Sequence, residues 1–206
     1  MESRPDIFDS ALRARRRDRM LPTYADHDFL HQAMLDELLD RLGDVQRDLP
    51  EALVIGCPDG RARAALEAMG KRVACVDPSF LAARAMNGVQ ADEDALPFAD
   101  DSFDLVLACG TLDSVNDLPG ALILMRRALR PDGLLHAVAL GGQTLHELRA
   151  CLGQAEAEVT GGLSPRIAPM GELRDLGALL QRAGLALPVA DSQPLTVEYE
   201  NAWALM

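Results

Sequence analysis

Hydrophobic positions recur with two different periods along this chain. Residues 5–20 and 27–42 follow the spacing of amphipathic helices, the second placing Leu30, Met34, Leu35, Leu38 and Leu42 on one face. From residue 51 short apolar runs take over. Ala52-Leu53-Val54-Ile55, ending in Gly56, reads as a buried strand, and 72–76, a weak segment before Asp92, 103–108 and 134–140 read the same way. Helical patterns lie between them at 61–69, 79–86 and 118–130, and others follow at 144–158 and 171–183. Pro131-Asp132-Gly133 is a turn. Two further short strands are expected at 186–190 and 195–199.

Strands that are apolar on both faces and alternate with helices imply a parallel sheet covered on both sides. Such an α/β fold binds ligands beyond the carboxyl ends of its strands, where the strand order reverses. The candidate positions are therefore 56–60, 77–79, 92–93 and 109–116.

Composition narrows this picture. The chain has 206 residues, 49% of them hydrophobic, which suits one domain with an appended arm and excludes disorder throughout. Aromatics are only 4%, so the core is built from Leu, Ala and Val. The net charge of −12 argues against a generic nucleic-acid binder. It is uneven: six arginines (4, 13, 15, 16, 17, 19) and four acids give residues 1–20 a charge of +2 and leave −14 on the rest. Acids within the Arg-rich start argue against a transit peptide. No apolar run of about 18 residues occurs, and the four cysteines form no CxxC pair. A soluble protein of the cytoplasm, with its cysteines reduced, is the expectation.

Gly56-Cys57-Pro58-Asp59-Gly60 follows the first strand and opens a helix, where a nucleotide-type ligand meets a glycine turn and a helix N-terminus. Asp77 ends the second strand and can accept hydrogen bonds from two ribose hydroxyls. Those features alone equally describe a tight turn and a helix cap. The segment Ala91-Asp92-Glu93-Asp94-Ala95-Leu96-Pro97-Phe98, running on to Val106, is more specific. It resembles a segment of class I S-adenosylmethionine-dependent methyltransferases, which implies that Asp92 bonds the adenine amino group.

The resemblance extends along nearly the whole chain. Ile7-Phe8-Asp9 with Arg15–Arg19, Val115-Asn116-Asp117-Leu118-Pro119-Gly120, Gly141-Gly142-Gln143-Thr144-Leu145-His146 and Gly161-Gly162-Leu163-Ser164-Pro165-Arg166 are similar to the complex I assembly factor 5 family. Bacterial members of that family are labelled biotin-synthesis-like or type 11 methyltransferases, and its best-known member is implicated in hydroxylating an arginine rather than in methyl transfer. The resemblance implies a Rossmann-like class I methyltransferase fold and S-adenosylmethionine as cofactor. The implied cofactor-binding set is Gly56, Cys57, Gly60, Asp77, Pro78, Asp92, Glu93 and Cys109. No catalytic residue and no metal ligand is assigned.

Two departures bear on that cofactor. Val54 stands where the family has an acid, and Pro58 where it has a glycine, so the loop loses charge, a backbone N–H and conformational freedom. Asp113 and Ser114 stand where the family has a His-Trp pair. Weak or absent S-adenosylmethionine binding is therefore expected. The competing expectation is a repacked loop in which Asp59 faces the cationic end of the ligand.

The remaining candidates have ordinary explanations. His27 and His31 share a helix face without a third metal ligand. His136 falls in a strand. His146 starts a helix near the family-like Gly141–Leu145 run, where it either packs or faces a substrate mouth. Cys57 and Cys109 have no histidine near them in sequence, which argues against a nucleophile. The segment 160–170 is either a surface loop or a substrate wall. Arg15, Arg16, Arg17 and Arg19 either remain solvated, fold over the pocket, grip a partner's acids, meet an anionic membrane surface or pair with the acidic body.

The expected organisation is an N-terminal helical arm at 1–45 and a methyltransferase-like domain at 46–206. About six principal strands are expected, with the family's last, antiparallel strand missing and an exposed or partner-covered edge. That edge, or the arm, would take a protein partner or a second copy. The leading function is a protein of the S-adenosylmethionine-dependent methyltransferase superfamily. The alternatives are a non-catalytic scaffold and a methyltransferase acting on an acyl carrier protein, the last disfavoured by the acidic body.

Overall fold

In the strand β1 (Glu51–Ile55) every residue after the first is buried, and successive side chains feed opposite cores. Ala52 and Val54 join one hydrophobic cluster, Leu53 and Ile55 the other. In β4 (Phe103–Cys109) Leu105 and Leu107 oppose Val106 and Ala108 in the same way. This two-residue alternation, with both faces apolar, is what a doubly covered sheet demands.

The computed structural model describes residues 6–205. Residue 5, at the start of the first expected helix, and residues 1–4 and 206 at the ends of the expected arm and domain, lie outside them. The described sheet has five parallel strands in the order β3-β2-β1-β4-β5, with β2 at Arg72–Asp77, β3 at Val89–Gln90 and β5 at Leu129–Val138. The order reverses between β1 and β4. On one face α2 (Phe29–Gly43), α3 (Arg61–Ala68) and α4 (Phe80–Ala85) supply Leu35, Leu38, Leu66 and Ala82. On the other, α5 (Leu118–Ala128) supplies Ala121, Leu122 and Met125, backed by Leu179 and Leu180.

Helix starts follow their capping chemistry. Asp9 accepts from the Leu12 amide at 2.8 Å to begin α1 (Ser10–Met20), Ser79 caps α4, and Asp117 caps α5 with Pro119 in its first turn. Two elements depart from expectation at one turn: Pro131-Asp132-Gly133 falls inside β5 instead of preceding it. The ladder with β4 shifts register there, and Asp132 takes φ 61°.

The strands expected at 186–190 and 195–199 do not form. Pro188 lacks the amide that a ladder requires, Leu187 and Val189 are almost fully exposed, and Leu195 and Tyr199 of the second segment are exposed as well. The described sheet therefore has five strands where six were expected, and β5 is an edge. Helices α6 (His146–Thr160) and α7 (Leu173–Arg182) follow β5, and neither contains a fully buried residue. A last short helix, α8, spans Ala202–Leu205.

Candidate functional site

The carboxyl ends of β1, β2 and β4 converge where the strand order reverses. Gly56 and Gly60 adopt φ of 77° and 76°, which turns the chain from β1 into α3. Gly56 has a second reason to lack a side chain, because a Cβ there would stand 1.8 Å from the Thr111 methyl carbon. Between them Cys57 and Pro58 are buried. Asp59 turns outward to α3: its Oδ1 accepts from the Arg61 amide at 3.2 Å, its Oδ2 pairs with the Arg61 guanidinium, and Arg61 also reaches Asp28 at 2.6 Å.

Asp77 ends β2 with no exposed surface. Its Oδ1 accepts from the Ser79 amide at 2.8 Å. The fork of Arg17, from α1, closes on the same carboxylate, with Nε donating to Oδ1 at 3.0 Å and Nη2 to Oδ2 at 2.6 Å. Pro78 is buried beside it, and its carbonyl accepts from Gln90 Nε2 at 3.1 Å.

Of the adjacent acids after β3, Glu93 turns inward and is 1% exposed, whereas Asp92 stays partly open. Arg13, one helical turn before Arg17, donates to both Glu93 oxygens at 2.6 and 2.7 Å, and its Nη1 lies 4.0 Å from Asp92. Burial, and then the charge of Glu93, push the Asp92 carboxyl up. The arm is fixed at two further points. Asp18 accepts from the Leu81 amide at 3.0 Å and from the Ser79 hydroxyl, and Asn116 Oδ1 accepts from the amides of Ile7 and Phe8 at 2.9 and 2.8 Å.

A cavity of about 290 Å³ remains between the arm and the end of β4, lined by Arg17, Tyr24, His31, Gly110, Asp113 and Leu140 among others. That is near the lower bound for a small-molecule site. The Tyr24 hydroxyl and Asp113 Oδ1 are buried and find no hydrogen-bond partner among the described residues. Burial pushes both groups up, and burial together with nearby Arg17 pushes His31 down. His31 stacks edge-on to Tyr24 at 5.8 Å.

Gly56, Cys57, Gly60, Asp77, Pro78 and Cys109 thus stand at the carboxyl ends of β1, β2 and β4, and Asp92 and Glu93 just after β3, with Cys57 and Cys109 packed in the core, while the cavity is lined instead by residues such as Gly110 and Asp113. Cys57 and Cys109 are buried, and burial raises both thiols, that of Cys109 to about 12. Neither is poised as a nucleophile. His27 is exposed and lies outside the helix that contains His31. His146 is exposed at the start of α6, its Nδ1 3.1 Å from the Gln143 carbonyl. His136 lies in the edge strand β5 with a buried, unpartnered Nδ1. In 160–170, Ser164 and Arg166 bond back to Glu156 on α6. Among the described residues no group of three or more His, Cys, Asp or Glu side chains is set to hold a metal ion.

Sequence reasoning missed Arg13, Tyr24 and Glu93's inward turn. A signal for Arg13 was present: with Arg17 it makes an i,i+4 pair, so both guanidiniums leave α1 on one face.

In residue type and position the crevice fits the adenosyl end of S-adenosylmethionine, because a buried carboxylate ends β2 and a glycine turn ends β1. It does not fit with α1 docked, because the Asp77 oxygens already carry the Arg17 fork and the Ser79 amide.

A family model described as "Methyltransferase domain" matches residues 53–137. The chain is 36% identical to the rat (Rattus norvegicus) mitochondrial arginine-hydroxylase NDUFAF5 over 98% of its own length and 62% of the relative's. It is 32% identical to the malonyl-[acyl-carrier protein] O-methyltransferase of Methylovorus sp. (strain MP688), covering 97% of the chain and 72% of that protein. Among solved structures, a SAM-dependent methyltransferase from Thermotoga maritima superposes with a TM-score of 0.59 at 20% identity, over 81% of this chain and 78% of that one. This chain therefore belongs to the class I S-adenosylmethionine-dependent methyltransferase superfamily and, within it, resembles complex I assembly factor 5.

Proposed function

We propose that this protein binds S-adenosylmethionine in the crevice at the ends of β1, β2 and β4 and acts on a protein side chain. The observation that carries the reading is the Asp77 carboxylate, buried at the end of β2 beside the Gly56–Gly60 turn and already engaged by a two-pronged donor. A ribose diol makes the same two-pronged demand. Asp77 would hold the ribose and Asp92 the adenine amino group. Gly56 and Gly60 would admit the methionine end, with Cys57, Pro78, Glu93 and Cys109 as walls.

When bound, the cofactor supplies an electrophilic methyl group on a sulfonium. The chain's contribution is position: the cavity beside Gly110 leaves a Tyr24 hydroxyl and an Asp113 oxygen free to orient an acceptor. The relatives' names set two substrate classes, an arginine, which the first relative's name says is hydroxylated rather than methylated, and a malonyl acyl carrier, which is a methyl acceptor. The charge of −14 beyond residue 20 favours the former, because an acidic carrier would be repelled.

A non-catalytic scaffold is the second reading, favoured by Val54 in β1 and Pro58 in the turn that follows it. For partners we propose a second copy or a protein at the β5 edge or the arm, and for location the cytoplasm. No helix among the described residues is long and apolar enough to cross a membrane.

Thermal unfolding with and without S-adenosylmethionine tests the reading, since a ligand confined to the native state raises the midpoint. A rise that is lost in Asp77→Asn is expected. No rise at about millimolar ligand, roughly ten times the affinity expected of a working site, would leave the scaffold reading standing.

A further inference from the structure

We infer that helix α1 and an adenosyl ligand compete for the Asp77 carboxylate, so that the arm is an internal occupant of the site and ligand binding must release it. The inference rests on the proposed S-adenosylmethionine site and goes beyond it, because a lid that closes over its ligand would make the opposite prediction.

Three observations support competition over closure. First, the arm takes the binding atoms themselves. Arg17 engages both oxygens of Asp77, and Arg13, four residues earlier, anchors the same helix on Glu93 with its Nη1 4.0 Å from Asp92. With the Ser79 amide also on Oδ1, Asp77 already accepts from three donors, and a carboxylate offers about four acceptor sites, so the two O–H donors of a vicinal diol find room only when the Arg17 fork leaves. Second, charge and not apolar packing holds α1 in place. The helix has no fully buried residue, and its attachments are the two arginine forks, Asp18 on the Leu81 amide and Ser79 hydroxyl, and the Asn116 clasp on Ile7 and Phe8. A helix held this way can leave without exposing core, unlike α2, which buries Met34, Leu35, Leu38 and Leu42. Third, the empty space lies elsewhere. The cavity is walled from the Asp77 side by Arg17 and lined by Tyr24, His31 and Asp113, so the docked arm leaves room for part of the ligand only.

The competition also gives the +2 arm a role. Its arginines neutralise the buried acids Asp77 and Glu93 while the site is empty of ligand, and a ligand with enough affinity for Asp77 frees Arg17 to solvent or to an acidic partner.

Hydrogen–deuterium exchange on the wild-type protein, with and without S-adenosylmethionine, separates the outcomes. Competition predicts faster exchange of the amides from Leu12 to Met20 when ligand is present. Slower exchange there, with binding confirmed by calorimetry, overturns competition while leaving the ligand site intact. A second measurement uses the Arg13→Gln/Arg17→Gln double variant, with circular dichroism to verify its fold. At least tenfold tighter ligand binding than wild type is expected, and equal affinity overturns the inference. If neither protein binds ligand by calorimetry, the binding reading itself fails and the competition falls with it. Should the double variant not fold, the wild-type exchange result decides alone.

Discussion

Gly56 at the end of β1 and Thr111 in the loop after β4 touch so closely that a single methyl on Gly56 would stand 1.8 Å from the Thr111 methyl carbon. This contact joins the two strand ends between which the sheet order reverses. Gly56→Ala should cost about 1–2 kcal/mol for the left-handed backbone and a further ~1–3 kcal/mol for overpacking. Adding Thr111→Ser removes the clashing carbon and should return most of the second share. Urea midpoints of the single and double variants check this, and strictly additive losses would contradict it.

Most of the fold was legible because β1, β2 and β4 are apolar on both faces. Alternation with helices then left few topologies. The strand ends were legible for the same reason, so Asp77 and Asp92 could be located without coordinates. The arm's docking was not, because pattern analysis sees Arg13 and Arg17 as two members of a charged run. Their partners, Glu93 and Asp77, lie 80 and 60 residues away. The missing strands at 186–190 and 195–199 illustrate a different failure. Apolar residues suggested pairing, but Pro188 removes a donor from the first segment, and Leu187 and Leu195 find nothing to bury against.

Arg13 and Glu93 form a pair in which the acid is almost wholly buried and the base is 13% exposed. Arg13→Ala should destabilise the protein by about 3–5 kcal/mol, because it strands a buried charge. Glu93→Gln in the same background removes that charge and should recover much of the loss. Chemical denaturation of the two single variants and the double variant gives the coupling directly. A coupling near zero would mean that solvent already reaches Glu93.

Burial lowers His31 and His136 from their ordinary value of 6.5, in His31 with help from Arg17 and Arg61 and against the pull of Asp59 and Asp77. Each ring is neutral in the fold under conditions that protonate it in the unfolded chain. The unfolded state then binds more protons, so stability is full above 6.5 and falls as the pH drops toward the lowered folded values. Asp92 and Asp113 shift upward from 3.8, in the opposite sense and from a lower starting point. Between about pH 7.5 and 5.5 the urea midpoint should therefore fall. His31→Gln should flatten that slope, and an unchanged slope would remove His31 from the account.

Cysteine accessibility divides the thiols. Cys57, Cys75 and Cys109 are buried, with burial raising all three, and Cys151 is exposed on α6. Iodoacetamide on the folded protein should modify Cys151 alone, and all four residues in denaturant. Intact-mass spectra read the difference. Native labelling of Cys57 or Cys109 would show that the strand-end loops open on the labelling timescale.

The arm's two helices should respond differently to substitution, because only one of them belongs to the core. Leu38 in α2 is 2% exposed and packs in the cluster that contains Val54, Leu66 and Leu107. Leu38→Ala should cost about 2–5 kcal/mol, set by how far that cluster can collapse into the gap. Among the described residues Arg15, exposed on α1, makes only a 3.3 Å bond to the Ala11 carbonyl of its own helix. Arg15→Ala should stay within ~0.5 kcal/mol of wild type. Thermal and urea unfolding of both variants provide the comparison. A large loss on Arg15→Ala would mean that α1 is tied to the body by more than the Arg13, Arg17, Asp18 and Asn116 contacts. The helix would then be too firmly held to yield its place to a ligand.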